Sequence, residues 1–267
     1  MGYDKQVRLT GVKVLKDFTE KCFSTNEEKI LIKKINDMLQ KSERTHKVVY
    51  SHFLTPAEQN LLAEVDEFRR FIGFYGGYED AERRVCRLCL DEYCTDAGLP
   101  VRLYAVQASK AEFSHRDVLG SLVALGLKRE MIGDIYASGG TALFFCHESV
   151  GDFIELNLKK IGRYRVDIDI ADIAAIPKPN FKLIEANVSA MRLDSVAAAC
   201  FGISRTKITE LIRQGLVSKN WLVSVSSSEK VKPGDKISVR GKGKAEVLGI
   251  SGFSKKGRIF LEIKIYI

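Results

Sequence analysis

The chain lacks any long apolar run. Its longest stretch without a charged residue, Ile135 to His147, has 13 residues, well short of the ~20 that a membrane helix needs. The N-terminus, Met-Gly-Tyr-Asp-Lys-Gln-Val-Arg, has no apolar core followed by a cleavage site, so neither a secretory signal nor a membrane partner is expected. A cytoplasmic location follows, and the six cysteines (Cys22, Cys86, Cys89, Cys94, Cys146, Cys200) then read as reduced thiols rather than a disulfide framework. Prolines number only five, so the closely spaced Pro177 and Pro179 stand out as an interruption. No internal repeat or low-complexity tract is present.

What the chain has is ordinary in bulk and lopsided in charge. Its 267 residues, 45% of them hydrophobic and 28% charged, suffice for two or three domains with cores of their own. Lys and Arg number 42 against 34 Asp and Glu, a net of +8. Residues 190–267 hold 15 basic and 6 acidic residues, so the remainder is close to neutral and the whole positive excess lies at the C-terminal end. A localised basic block is the footprint expected of a polyanion binder.

Three segments follow from the patterning. Residues 1–77 read as mainly helical: Ile30, Ile32, Ile35, Met38 and Leu39 keep helical spacing behind Ser24, Thr25 or Asn26 as cap, and Thr55-Pro56-Ala57-Glu58 opens a helix to about Phe71. Lys47 to Tyr50 is a short strand between them. Residues 78–180 run as an amphipathic helix (Glu79 to Cys89), then strand (Val101 to Gln107), helix from Ser114, and two strands around Gly139-Gly140. A helix (Phe153 to Ile161) and a strand (Tyr164 to Ile170) complete them. Strand, helix, strand, strand, helix, strand is the order of a ferredoxin-like α/β plait. The prolines place a junction between Ile176 and Ala190, and residues 190–267 form the last segment. The fold class is therefore α+β.

In that last segment Asp194 to Ala199 can form a helix, and Ser204 can cap a second that runs to Gln214, with Ile208, Leu211 and Ile212 facing inward. Gly215 suits a left-handed cap, and Val217 to Val225 reads as an extended arm bending near Lys219 and Asn220. Guanidinium groups and helix N-terminal N–H groups bind phosphate, a layout for gripping the backbone of folded RNA.

These residues resemble a known family. Arg192-Leu193-Asp194, Ser204-Arg205, the pattern I-x-x-G-x-V from Ile212, Asn220, and Gly234-Asp235-x-Ile237-x-Val239-Arg240-Gly241 are similar to the RNA-binding domain named after ribosomal protein S4. Upstream, residues 115–135 (HRDVLGSLVALGLKREMIGDI) and Phe74 to Arg83, with the closing Arg240 to Lys244, resemble the YlmH-type proteins. One difference is Val196-Ala-Ala-Ala-Cys200, where the family's helix has leucine-rich filling. The resemblance implies a helical N-terminal part, an RNA-binding plait and a terminal S4-type domain. It also implies a role in ribosome-associated quality control: binding of an obstructed large ribosomal subunit with its rRNA and peptidyl-tRNA, and support for tailing of the stalled nascent chain. Arg192, Ser204, Arg205, Lys207, Arg213, Lys219, Asn220, Arg240, Lys242 and Lys244 would then make phosphate and sugar contacts. No DNA partner and no cofactor are expected.

Three strings resemble enzyme motifs. Arg192-Leu193-Asp194 resembles the catalytic aspartate motif of pseudouridine synthases, some of which carry S4-type domains, so an RNA-modifying enzyme is the rival reading, beside a cell-division or other interaction protein. Here the Asp opens the S4-type helix itself, and capping or arginine pairing is the expected role. His115-Arg116-Asp117 resembles a kinase catalytic loop, yet Leu122 stands where that loop needs a metal-binding Asn; a helix start accounts for it. Cys86, Cys89 and Cys94 have partly zinc-like spacing, with His115, Cys146 or His147 as a distant fourth ligand, but buried thiols on a helix face are expected instead, and no metal. Phe71, Phe74, Tyr75 and Tyr78 read as core before they read as a base-stacking platform. Trp221 fits an anchor for the arm and a stacking residue equally well.

Overall fold

In the computed structural model, which describes residues 25–89, 95, 98–109, 111–177, 180–255 and 257–266, the chain divides into two compact units, 1–177 and 178–267. Among the described residues no helix is long and apolar enough to cross a membrane.

The first unit begins with helix α1 (Asn26–Thr45), capped by Thr25, which exchanges hydrogen bonds with Glu28. Strand β1 (Val49–Leu54) leads into α2 (Pro56–Glu64), opened by the reciprocal Thr55–Glu58 capping box that the sequence announces. This helix ends at Glu64, not near Phe71, because Val65 turns extended. Strands β2 (Ile72–Tyr75) and β3 (Arg84–Leu88) complete a three-stranded antiparallel sheet of order β1-β3-β2. The amphipathic helix expected over Glu79 to Cys89 is thus a loop and a strand. Strand β3 is apolar on both faces, with Val85 entering one core and Cys86 and Leu88 another. Two-sided burial removes the period-2 alternation by which a half-buried strand is recognised.

The plait follows as expected. Strand β4 (Val101–Gln107), helix α3 (His115–Ala124), strands β5 (Ile132–Ser138) and β6 (Thr141–His147), helix α4 (Gly151–Asn157) and strand β9 (Asp167–Ile170) form an antiparallel sheet of order β5-β6-β4-β9. Helix α4 stops at Asn157, short of the expected Ile161. Lys160–Ile161 (β7) and Tyr164–Arg165 (β8) pair as a small hairpin. One face of the sheet packs Tyr104, Val106, Phe144 and Ile135 against the helices through Val118, Leu122 and Ile154. The other face packs Leu103, Leu143 and Phe145 against Phe53 and Val85, so it is covered by β1 and β3. Gly133 permits that approach: a Cβ there would sit 2.8 Å from Phe53 and Phe145.

The second unit is one six-stranded sheet, order β10-β15-β14-β13-β11-β12, with two helices. Its strands are β10 (Phe181–Val188), β11 (Val217–Lys219), β12 (Leu222–Val223), β13 (Lys236–Val239), β14 (Gly243–Phe253) and β15 (Ile259–Tyr266). Helices α5 (Leu193–Phe201) and α6 (Arg205–Arg213) pack on it. The small residues that replace leucine are core here: Val196, Ala197 and Cys200 are buried with Ile208, Ile212, Val217 and Ile263. The expected extended arm is a tight hairpin, because Asn220 and Trp221 both take positive φ (49° and 66°) and fold β12 back on β11.

Candidate nucleic-acid interface

Helix α6 carries the candidate interface on its outer side. Ser204 caps it by accepting the Lys207 N–H at 3.3 Å. Ile208 and Ile212 fix its inner face in the core. Arg205, Thr209 and Arg213 then fall on one stripe by the four-residue repeat of the helix, the arginines exposed and Thr209 half-buried, and line a groove of about 570 Å³ with Thr206, Glu210 and Asp194. Arg205 and Arg213 lie about 12 Å apart along the axis.

Asp194 is 5% exposed and is the electrostatic centre of this surface. Its carboxylate accepts from Arg205 Nη2 at 2.6 Å, from Arg192 Nε and Nη2 at 3.2 and 3.3 Å, and from the Ser195 N–H at 2.8 Å. Burial alone would raise its pKa, but the hydrogen bonds from Arg205 and Arg192 outweigh burial and hold the carboxyl below the ordinary range. One carboxylate between two guanidiniums leaves one positive charge over, carried on side chains that are 42% and 51% exposed. The Asp194 oxygens, sealed by four donors, are not placed for nucleophilic or proton-transfer chemistry. Arginine pairing is the role the geometry gives this residue.

The other predicted contacts divide into three kinds. Arg213, Arg240 and Lys242 are exposed and make no ion pair among the described residues. Arg240 and Lys242 sit in the β13–β14 turn, which is tied to the end of α6 by the Arg240 N–H on Leu216 O at 2.9 Å. Lys207 pairs with Glu210 at 2.7 Å, and Lys244 lies over the Tyr266 ring at 4.6 Å. Lys219 and Asn220 are structural. Lys219 is bound to Glu229 at 2.7 Å and to Lys230 O at 2.9 Å. The Asn220 amide bridges Asp235 at 2.8 Å and the Lys236 N–H at 2.9 Å, holding the positive-φ turn. Trp221, next in the turn, has Lys236 over its ring at 5.4 Å. The stripe hydroxyls of Thr206 and Thr209 escaped the sequence reading, although the i, i+4 spacing from Arg205 to Arg213 marks where to look.

In the first unit the aromatic candidates are core. Phe71 and Phe74 pack beside Phe68 and Leu88, and Tyr78 stacks on Phe145 at 5.3 Å; Tyr75 alone of the four is about half exposed. Asp117 accepts from the Ser114 N–H and hydroxyl, a helix cap and not a catalytic loop. Burial pushes the thiols of Cys86, Cys146 and Cys200 up to about 12, and Cys86 lies on a strand, not on a helix face. No group of metal-ligand residues occurs among the described residues; Cys22 and Cys94 lie outside them.

Two family models match the chain: "Putative RNA-binding domain in YlmH" over residues 100–175 and "S4 domain" over residues 191–237. The chain is 32% identical over 223 residues, 81% of its length and 86% of the relative's, to ribosome-associated protein quality control protein P2 of Bacillus subtilis. The solved structure named cell division protein ylmH from Streptococcus pneumoniae matches with a TM-score of 0.50 at 18% identity, over 59% of this chain and 99% of that one, a likeness of fold.

Proposed function

Because the chain belongs to the YlmH-type family of S4-domain RNA-binding proteins, we propose that it acts in ribosome-associated quality control in the cytoplasm. It binds the large ribosomal subunit through rRNA and peptidyl-tRNA and supports tailing of the stalled nascent chain, with no chemistry of its own. The observation that carries this reading is the Asp194-centred arginine pair opening onto the α6 stripe, in the segment that holds all the excess positive charge. Arg192, Arg205, Arg213, Arg240 and Lys242 keep their charge toward solvent, and they would take phosphate oxygens. Lys219 and Asn220 would act by shaping the hairpin beside them.

Cosedimentation tests it. The protein should travel with purified large subunits that carry peptidyl-tRNA, and its addition should lengthen the C-terminal tails formed on them. Protein that stays at the top of the gradient, at low salt and with obstructed subunits, defeats the reading. Tails of unchanged length with binding intact would defeat the tailing role alone.

A further inference from the structure

Plait modules that read single strands do so on the sheet face, where aromatic side chains stack bases. In this chain that face is closed, since Leu103, Leu143 and Phe145 are buried against Phe53 and Val85 of the preceding strands. An RNA-binding role for residues 100–175 therefore needs another surface, and the helical side offers one. A groove of about 670 Å³ runs between α3 and the β7–β8 hairpin, lined by Arg116, Gly120, Ser121 and Ala124 on one wall and Lys159 and Lys160 on the other. Arg163 and Arg165 stand on the same hairpin, and all five cations are exposed with no ion pair among the described residues.

Two features of this groove carry a cost to folding with no local return. Lys160 and Arg165 are direct cross-strand partners, and like charges placed so destabilise a hairpin. The hairpin is held to the plait by Ile161 and Tyr164 and by the Gly162 N–H on Ser121 Oγ, none of which needs the paired cations. Gly120 sits inside α3, where glycine is worse than alanine, although nothing lies within 4 Å of a Cβ added there. The one carboxylate lining the groove, Asp117, is turned to the helix cap, where its Oδ2 accepts from the Ser114 N–H and hydroxyl.

We infer that this groove is a second RNA-binding site, gripping the phosphate backbone of a helical RNA segment on the face of the plait opposite to its sheet. The inference rests on the RNA-binding reading above and gives the plait its contact surface. Lys159, Lys160, Arg163, Arg165 and Arg116 supply the charge, and Gly120 keeps the wall low enough for the backbone to enter.

The test uses the full chain, with purified large subunits and a plain RNA duplex as probes, over a salt series. Lys160→Ala with Arg165→Ala should lower the slope of log affinity against log salt by about two units, while its melting temperature holds or rises because the like-charge repulsion between these cross-strand partners is relieved. Gly120→Glu should weaken binding about tenfold, the effect of removing one charge-assisted hydrogen bond to phosphate, and Gly120→Ala should leave binding intact. Both groove variants binding as the wild type does, while Arg213→Ala still weakens binding, overturns the groove and leaves the C-terminal site standing. A double variant that melts at lower temperature also counts against it, since the cations would then serve the fold. Wild-type protein that binds neither probe removes the RNA reading and the groove with it.

Discussion

Asp134 in the first unit and Asp194 in the second are alike up to a point. Each is a carboxylate near the start of an element, and each gathers donors from segments distant in sequence or across a helix–helix corner. Asp134 accepts from the Tyr78 hydroxyl at 2.7 Å and from the Glu82 and Arg83 N–H groups at 2.7 and 3.0 Å, so it pins the 78–83 loop to β5. Its donors are a phenol and two backbone amides, groups with no charge to offer a ligand. Asp194 collects two guanidiniums that remain about half exposed. The same side chain ties a fold in both places, but only in the second does the tie orient cations toward solvent. A polar network becomes a binding surface when its donors keep spare N–H groups and charge.

That contrast can be broken at either end. The largest effect is expected from Asp134→Ala, which removes the acceptor of the part-buried Arg83 N–H, of the Glu82 N–H and of the Tyr78 hydroxyl, leaving the hydroxyl only Tyr136. Unsatisfied buried donors cost roughly 1–3 kcal/mol each, and partial solvation leaves about 3 kcal/mol in total, read as a shift in denaturant midpoint. The folded variant should bind RNA with unchanged salt slope. A loss below about 1 kcal/mol would mean that the stack of Tyr78 on Phe145 holds the loop without the carboxylate. Asn220→Ala comes next, at about 2 kcal/mol, because alanine is strained at φ 49° and the bonds to Asp235 and Lys236 go with it. Asn220→Gly should recover the part due to backbone strain. Equal losses for the two would assign the whole effect to the side chain.

Asp194→Asn should cost less, about 1 kcal/mol, since Arg192 and Arg205 can turn to water. The sign of its pH dependence is fixed by the depressed carboxyl. A group with a folded pKa below its unfolded value stabilises above the unfolded value, near 3.9, and loses that contribution as pH falls through the folded pKa. The wild type should therefore exceed the variant in stability at neutral pH, and the two should converge on acidification below about pH 4. RNA binding should weaken even though a negative charge has been removed, because the carboxylate no longer aims the two guanidiniums. Loss of binding with the fold intact would show that the carboxylate is needed to aim the arginines.

The distribution of these residues explains what the sequence could disclose. The capping box at Thr55, the Ser114 cap, the order of elements in the plait, and the inner face of α6 are local patterns, and all were legible. Strand β3 was not, because a strand buried on both faces lacks alternation. Strand β10 lay hidden in the supposed junction: Phe181 and Leu183 face solvent at the edge of the second sheet, so the segment lacks a clean buried pattern. At the candidate site, the types of residue were readable but their partners were not. Nothing local in Lys219 or Asn220 reveals that Glu229, Asp235 and the Lys236 N–H absorb their polar groups. The closed sheet face of the plait is likewise a tertiary fact, produced by Phe53 and Val85 from earlier strands.

Arg213→Ala makes the smallest change to the fold and sharpens the comparison most. The side chain is exposed at the end of α6 with no ion pair among the described residues, so stability should move by less than about 0.5 kcal/mol. If it holds a phosphate, the slope of log affinity against log salt falls by about one unit, and affinity drops evenly across RNA sequences. Arg205→Ala cannot isolate this effect, because it also unpairs the buried Asp194 carboxylate and changes stability and binding together. A slope unchanged in Arg213→Ala would move the RNA off the α6 stripe and toward the β13–β14 turn, where Arg240 and Lys242 would then account for the salt dependence. A fall of one unit with unchanged melting temperature would separate the charge that binds from the charge that folds on a single nine-residue helix.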